Sequence, residues 1–216
     1  ALRQSNTSEI IKKYFPNLSD EQLNQFNLLE DIYRSWNKKI NLISRKDIDQ
    51  FYTHHVLHSL SIAKFISFTD NTKLLDVGTG GGFPGIPLAI IFPKCSFILN
   101  DSIEKKIKVV NNVKSKLKLI NVTTLNSRAE NIDKKFDFVI SRAVAHLSKF
   151  CPLVKNKISN VNKNKIHNGI IYLKGGDLEN EIKSISKKYT CSITNISDYY
   201  KESFFDTKAI LHICSR

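Results

Sequence analysis

The sequence predicts an α/β protein with a mostly parallel, seven-stranded sheet, an antiparallel edge hairpin and an N-terminal helical extension. Three observations support this fold class. Before residue 70, apolar residues recur at spacings of three and four, as they do on one face of a helix. Short apolar runs then alternate with helical stretches, which is typical of parallel strands packed between helices. The last two apolar runs have no convincing helix between them, which favours a hairpin.

The first 70 residues form the predicted extension. A short helix over residues 8–15 is followed by a break at residues 16–20, where Ser19 is a candidate N-cap. An apolar stripe over residues 23–40 predicts the main helix. A third helical pattern ends near Phe68. We therefore divide the chain into a helical extension, residues 1–70, and a core domain, residues 71–216.

From Lys73 onward the hydrophobic period changes to that of an α/β sheet. The predicted strands are residues 73–77, 96–101, 122–126, 136–141, 169–174, 191–196 and 209–214. The predicted helices are residues 86–92, 102–117, 147–158 and 177–188. Helices that alternate with parallel strands cover both faces of the sheet.

The charge of the chain is strongly positive and unevenly distributed. The formal net charge is +13, yet residues 1–70 carry 9 Lys or Arg against 8 Asp or Glu. No acid occurs from residue 138 to residue 176, whereas Arg142, Lys174 and five other lysines lie in that segment. Such a one-sided basic region favours a polyphosphate partner. A genome rich in A and T would also raise the lysine content, but it would not remove acids.

Other features narrow the class of protein. The four cysteines lie far apart without a C-x-x-C pair, so we expect neither a metal site nor a disulfide framework. The most apolar stretch, residues 83–93, is too short for a membrane span. The first residues lack the apolar core of a secretory signal. We expect a cytoplasmic monomer that binds no membrane and no metal.

A glycine-rich turn follows the first predicted strand, in the sequence Asp76-Val77-Gly78-Thr79-Gly80-Gly81-Gly82-Phe83. Turns of this kind bring backbone N–H groups close to a nucleotide. A dinucleotide fingerprint requires a third glycine where this chain has Phe83, and the Gly-Lys-Ser/Thr of a P-loop is absent. The geometry of the turn is by itself shared by three classes of nucleotide-binding site, and these departures disfavour the first two.

Two carboxylates favour one of these cofactors. Asp76 precedes the glycines, where it would repel a pyrophosphate and attract the ammonium group of S-adenosylmethionine. Asp101 ends the second strand, where an acid accepts hydrogen bonds from ribose hydroxyls. Glu130 follows the third strand, close to the expected adenine. The pattern predicts a Rossmann-like class I methyltransferase with S-adenosyl-L-methionine as cofactor; Asp76, Asp101 and Glu130 can also be ordinary turn, cap or surface charges.

Several motifs closely resemble the bacterial GidB/RsmG family. The most specific are the Phe83-Pro84-Gly85-Ile86-Pro87 continuation of the loop and Ser141-Arg142-Ala143 after the fourth strand. Trp36-Asn37-Lys38-Lys39-Ile40-Asn41-Leu42, Asn100-Asp101-Ser102, Ser127-Arg128-Ala129-Glu130 and Leu173-Lys174-Gly175 complete the resemblance. It implies methyl transfer from S-adenosylmethionine to N7 of one guanine in 16S ribosomal RNA. The implied substrate is naked RNA or an assembly intermediate of the small subunit.

The resemblance also implies roles for individual residues. Asp101 and Ser102 would flank the ribose. Position in the chain adds two expectations to these: Arg142, just after the fourth strand, would act in catalysis by bridging the cofactor and the RNA, and Lys174, at the end of the next strand, would neutralise a phosphate. The residues implied to contact the cofactor are Gly78, Phe83, Ala129, Glu130 and Arg142, with Asp76 and Gly80 added by the loop itself. One departure is His58, which replaces the acid of a typical Arg-His-x-x-Asp-Ser segment.

Guanine N7 already carries an in-plane lone pair, so its methylation needs alignment rather than a general base. His54 and His58 are expected to be structural, and Trp36, Asn41 and His55 are expected to tie the extension to the core.

Two alternative functions stay open beside methylation of ribosomal RNA. One is a small-molecule or protein methyltransferase with an incidental basic surface; the other is a non-catalytic RNA- or nucleotide-binding module. Phe83 and Asp76 disfavour a dehydrogenase, and Cys151 is poorly placed for a cytosine-C5 nucleophile.

Overall fold

The computed structural model describes residues 8–142 and 144–216. Its centre is a seven-stranded sheet with the order β3-β2-β1-β4-β5-β7-β6. The strands are β1 (Lys73–Val77), β2 (Ser96–Asp101), β3 (Val122–Asn126), β4 (Phe138–Arg142), β5 (Gly169–Gly175), β6 (Tyr189–Asn195) and β7 (Lys208–Ser215). The first five strands pair in parallel, and β7 runs antiparallel to both β5 and β6. The predicted fold class, including the antiparallel edge hairpin, is confirmed.

Helices cover both faces of the sheet, as the alternation of side chains along each strand requires. Leu74 lies in the core on one face, and Leu75 lies in the core on the other face. The first face is covered by α2 (Asp20–Asn37), α4 (His58–Phe65), α5 (Gly85–Ile91) and α6 (Glu104–Lys116). The opposite face is covered by α7 (Leu147–Val154) and α8 (Glu179–Ile185).

The helical extension packs directly on the first face. It comprises α1 (Glu9–Tyr14), α2, α3 (Arg45–Ile48), a π-helical segment (Tyr52–Leu57) and α4. Ser19 is the N-cap of α2, as predicted: its hydroxyl accepts a hydrogen bond from Gln22 N, and the Gln22 side chain accepts one from Ser19 N. This reciprocal capping box satisfies two free donors of the first turn.

Several element boundaries differ from the prediction for local physical reasons. The helix predicted over residues 147–158 ends at Val154, and Lys155–Lys157 form a 3₁₀ turn. Pro152 lies inside this helix, where it cannot donate a backbone hydrogen bond. The third helical pattern is split into the π-helical segment and α4. The short helix α3 was not predicted, because four residues are too few to show a period.

Candidate functional site

The glycine loop lies between β1 and α5, at the carboxyl edge of the parallel strands. Gly78 and Gly80 have positive φ values of 66° and 59°, a conformation that other residues adopt at a cost. A Cβ atom at Gly78 would also lie 2.7 Å from Cγ2 of Val144. Glycine is therefore required at this turn, and the backbone of the loop remains open to a ligand.

Asp76 lies beneath this loop and is fully buried. Its Oδ2 accepts hydrogen bonds from Thr79 Oγ1 at 2.7 Å and from Gly85 N at 2.9 Å. Its Oδ1 has no hydrogen-bond partner among the described residues. Burial raises the pKa of Asp76 to about 8. Asp76 holds the loop, and it is not among the described residues that line the two cavities at this edge of the sheet, which have volumes of about 390 and 130 Å³. Its contact with a cofactor ammonium therefore stays a prediction.

Asp101 connects the end of β2 to the glycine loop. Its Oδ2 accepts a hydrogen bond from Gly80 N and its Oδ1 accepts one from Ile103 N, both at 2.9 Å. A carboxylate oxygen has two lone pairs, so each oxygen can accept a second hydrogen bond. Asp101 lines the larger cavity, and the geometry fits a ligand that presents two neighbouring hydroxyl groups.

The larger of the two cavities at this edge has a volume of about 390 Å³. A pocket of this size is within the range of small-molecule sites. It brings together six of the residues predicted to hold the cofactor, from four separate segments of the chain. These six are Gly78, Asp101, Ser102, Ala129, Glu130 and Arg142. These groups, a backbone turn with two carboxylates and one cation, can form hydrogen bonds with the adenosine part of S-adenosylmethionine and therefore fit it.

A smaller cavity of about 130 Å³ adjoins the larger one and shares Gly78, Lys106 and Arg142 with it. Among the described residues that line it there are two cations and no carboxylate. The sequence predicted three of its lining residues, Gly78, Gly80 and Phe83, besides Arg142. It did not single out Leu42, Ile43 or Lys106, and it assigned His55 only a tethering role. The described residues that line it are Leu42, Ile43, His55, Gly78, Thr79, Gly80, Gly81, Phe83, Lys106 and Arg142.

Arg142 ends β4 and lies between the two cavities. Its Nη2 donates a hydrogen bond to Nδ1 of His55 at 3.0 Å, and its Nη1 donates to the carbonyl oxygen of His54 at 3.4 Å. Its guanidinium carbon lies 5.5 Å from the centre of the Phe83 ring. No carboxylate in the described part of the chain forms an ion pair with Arg142. Its charge is therefore available to an anionic ligand.

His55 is neutral in this arrangement. A guanidinium group has only donors, so Nδ1 of His55 accepts the hydrogen bond from Arg142 and the ring proton lies on Nε2. Burial lowers the pKa of His55 to about 3, and the Arg142 charge contributes to this shift. His54 and His58 line neither cavity. The His54 ring stacks on Phe204 with the ring centres 4.0 Å apart, and His58 is buried, so their structural role stays a prediction.

Lys174 lies at the end of β5, as predicted, but it lines neither cavity at the glycine loop. Its Nζ lies 2.5 Å from Oε1 of Glu181 on α8. Glu181 also accepts a hydrogen bond from Leu147 N at 3.1 Å. The sequence could not show this ion pair, because the two residues meet only when α8 packs on the sheet. A phosphate contact by Lys174 stays a prediction and would compete with Glu181.

The extension forms one wall of the smaller cavity. Trp36 donates a hydrogen bond to Oδ1 of Asn112 at 2.9 Å, and His55 contacts Arg142, so both tie the extension to the core as expected. Asn41 is exposed and forms no such tie among the described residues. Asn37 instead organises the following loop: its Nδ2 donates to Ile43 O, and its Oδ1 accepts from Leu42 N and Ile43 N, at 2.8 to 3.0 Å.

We expect Asn37→Ala to lower the free energy of unfolding by about 2 kcal/mol, because it removes three partly buried hydrogen bonds. Asn37→Asp is the matched control, since it keeps both acceptor contacts and loses only the donor; its loss should be about half as large. Urea unfolding of both variants measures the difference. Equal destabilisation by the two variants would contradict the role assigned to the acceptor oxygen.

A metal site requires several ligating side chains close together, and a membrane-spanning helix requires a long apolar stretch. In the part of the chain that the structure describes, no three His, Cys, Asp or Glu side chains are grouped so that they could hold a metal ion. None of the described helices combines the length and the apolar character that crossing a membrane requires.

The fold and the glycine-loop site together define a Rossmann-like methyltransferase that uses S-adenosylmethionine. An S-adenosylmethionine-dependent methyltransferase from Aquifex aeolicus superposes with a TM-score of 0.57, at 16% identity over 79% of this chain and 98% of that chain. A ribosomal protein L11 methylase from Lactobacillus delbrueckii subsp. bulgaricus gives a TM-score of 0.57, at 15% identity over 74% of this chain and 77% of that chain. At these identities the likeness concerns the fold.

Within that class, the chain belongs to the GidB family, described as rRNA small subunit methyltransferase G, whose model matches residues 22–204. A ribosomal RNA small subunit methyltransferase G from Christiangramia forsetii is 52% identical, covering 96% of this chain and 97% of the relative. One from Bacteroides thetaiotaomicron is 51% identical, covering 94% and 98%. The predicted family, enzyme class and cofactor are confirmed.

Proposed function

We propose that this chain transfers a methyl group from S-adenosylmethionine to N7 of a guanine in the 16S ribosomal RNA of the small subunit. The observation that carries the choice of atom is the lining of the smaller cavity, where Lys106 and Arg142 are the charged side chains among the described residues. The Hoogsteen edge of guanine presents two acceptors, N7 and O6, and cations are its commonest partners. A cation at O6 leaves N7 free for the reaction.

The cofactor residues are proposed from the same geometry. Asp101 and Ser102 hold the ribose, and Ala129 and Glu130 contact the adenine. Gly78, Gly80 and Phe83 surround the methionine part, with Arg142 beside it. When bound, S-adenosylmethionine supplies an electrophilic methyl group on a sulfonium centre. Arg142 and Lys106 orient the acceptor, and the backbone of the glycine loop fixes the position of the donor.

The chain needs no proton acceptor for this reaction, because the attacking nitrogen carries a lone pair and no hydrogen. His55 is the imidazole nearest to the smaller cavity, and its pKa of about 3 makes it a weak base at neutral pH. Substrates that must lose a proton, such as an exocyclic amine, would find no carboxylate among the described residues that line this cavity. We further propose a cytoplasmic monomer in which residues 1–70 form an extension of the catalytic core, residues 71–216.

The test supplies S-adenosylmethionine with a radiolabelled methyl group to naked 16S RNA, assembled small subunits, protein and DNA in parallel. We expect label in RNA, with a strand break after borohydride and aniline treatment, which identifies 7-methylguanine. Label in adenine, or label in RNA without a strand break, would refute the assigned atom. Comparison of the two RNA substrates identifies the preferred one.

A further inference from the structure

A cluster of exposed cations follows α2 in the helical extension. Residues 38–46 contain four Lys or Arg and no acid. The acids that come next face other groups: Asp47 contacts His54 at 3.0 Å, and Asp49 contacts Arg34 at 3.4 Å. The four cations are Lys38, Lys39, Arg45 and Lys46, and all are exposed. Residues 1–70 are therefore nearly neutral as a whole, but residues 38–46 form a local surface of positive charge.

The packing of α2 on α6 places this cluster at the mouth of the site. The two helices run antiparallel: Gln25 donates a hydrogen bond to Leu117 O, and Trp36 donates one to Asn112 Oδ1, both at 2.9 Å. The residues near the end of α2 therefore lie closer to the start of α6 than the residues near the beginning of α2 do. The loop after α2 accordingly faces the first turn of α6, and Leu42, Ile43 and Lys106 line the same cavity.

The first turn of α6 adds two further cations. These are Lys105 and Lys106, which follow Glu104. A positive charge is unfavourable at a helix N-terminus, so the helix dipole does not account for their placement. In the described part of the chain, none of the six cations forms an ion pair. We call this surface the basic rim, defined as Lys38, Lys39, Arg45, Lys46, Lys105 and Lys106.

The acid-free segment of the sequence does not provide an equivalent surface at the site. Four of its six lysines lie between the end of α7 and Gly169, the first residue of β5, and are therefore on the side of the amino edge of the parallel strands, opposite the glycine loop. Lys157 is buried, and Lys163 lies 3.8 Å from Asp137. The charge of this segment favours a polyphosphate partner, but the chain crosses the sheet between Arg142 and Gly169, so only part of the segment lies at the edge that carries the glycine loop.

We propose that the basic rim is the surface on which the phosphodiester backbone of the substrate RNA docks, so that the extension positions the RNA. This inference rests on the proposed function. Phosphate contacts set the register and orientation of a nucleic acid, whereas base contacts select the nucleotide. Lys106 of the basic rim lines the smaller cavity, and the other rim cations lie close in the sequence to Lys106 or to the lining residues Leu42 and Ile43. A strand held there can place one unstacked base beside Lys106 and Arg142.

The experiment compares two quadruple variants with the same change in charge. The rim variant carries Lys38→Gln, Lys39→Gln, Arg45→Gln and Lys46→Gln. The control variant carries Lys155→Gln, Lys165→Gln, Lys187→Gln and Lys188→Gln, which are exposed lysines away from the site edge. RNA affinity is measured over a series of salt concentrations, together with methyl transfer, S-adenosylmethionine affinity and thermal unfolding.

We expect the rim variant to lose roughly tenfold or more in RNA affinity at 0.15 M salt, with its logarithmic salt dependence reduced by about 3, since each lost phosphate contact removes about 0.7. The control variant should keep most of its RNA affinity, and both variants should bind S-adenosylmethionine normally. Equal losses in the two variants, or normal RNA binding by the rim variant, would overturn the proposal. Tighter binding of wild-type protein to phosphatidylserine vesicles than to RNA would also overturn it. Absence of methyl transfer to RNA by wild-type protein would instead refute the proposed function.

Discussion

Replacing Arg142 with alanine should reduce kcat/KM for methyl transfer by about 10²–10³-fold, the usual effect of removing one preorganised charged donor from an active site. The side chain lines both cavities, and no carboxylate among the described residues forms an ion pair with it. The protein should still fold, because the two hydrogen bonds that the variant loses, about 1.5–3 kcal/mol each for a charged donor, are offset in part by removal of a buried charge that has no ion-pair partner among the described residues. Single-turnover methylation, calorimetric binding of S-adenosylmethionine and thermal unfolding measure the three effects separately.

A matched control separates the charge of Arg142 from its tethering contact. His55→Ala removes the partner of that contact, yet it leaves the guanidinium in place. If the charge acts on the reactants, His55→Ala should retain most of the activity that Arg142→Ala loses. Arg142→Lys should recover only part of the loss, because lysine lacks the planar fork of donors. Near-normal methylation by Arg142→Ala, or equal loss in both alanine variants, would refute the assigned role.

The fold was predictable because its signals are local. Each parallel strand is a short apolar run, and the glycine loop follows β1 directly in the sequence. The carboxyl ends of these strands meet at one edge, so the sequence alone was enough to expect Gly78, Asp101 and Arg142 to lie together. The capping box at Ser19 is likewise encoded within four residues.

The remainder of the site depends on packing between distant segments. Leu42 and Lys106 meet only because α2 and α6 pack antiparallel, and nothing in either segment alone indicates this contact. The number of lysines in residues 138–176 did not show on which edge of the sheet they lie, because this segment crosses from one edge to the other. The ion pair of Lys174 with Glu181 and the complete burial of Asp76 are also consequences of tertiary packing.

Asp76→Asn should make the protein more stable and at the same time weaken cofactor binding. The carboxyl group has an ordinary pKa of 3.8 in the unfolded chain, and burial raises it to about 8 in the folded protein. Between these pH values the folded state holds a proton that the unfolded state has released. The contribution of Asp76 to stability is therefore fully present below about pH 4 and decreases by up to about 1.4 kcal/mol per pH unit as the pH rises toward 8.

Asparagine does not titrate, and its side-chain oxygen can still accept hydrogen bonds from Thr79 Oγ1 and Gly85 N. Without cofactor, the difference in melting temperature between Asp76→Asn and wild type should therefore be smallest near pH 4 and grow up to pH 8. Asp76→Ala is the control: it removes both acceptor contacts and should destabilise the protein throughout this range. A constant difference between Asp76→Asn and wild type from pH 4 to pH 8 would show that the buried carboxyl group does not titrate there.

The same variant tests whether Asp76 meets the ammonium group of the cofactor. A hydrogen bond to a charged group contributes about 1.5–3 kcal/mol, so calorimetry should show S-adenosylmethionine binding to Asp76→Asn about 10- to 150-fold more weakly. Oδ1 has no partner among the described residues, and it is the atom that would accept this contact. Unchanged affinity together with the expected gain in stability would mean that Asp76 serves the glycine loop alone. Weaker affinity with higher stability would mean that the chain keeps a destabilising buried carboxylate because the cofactor requires it.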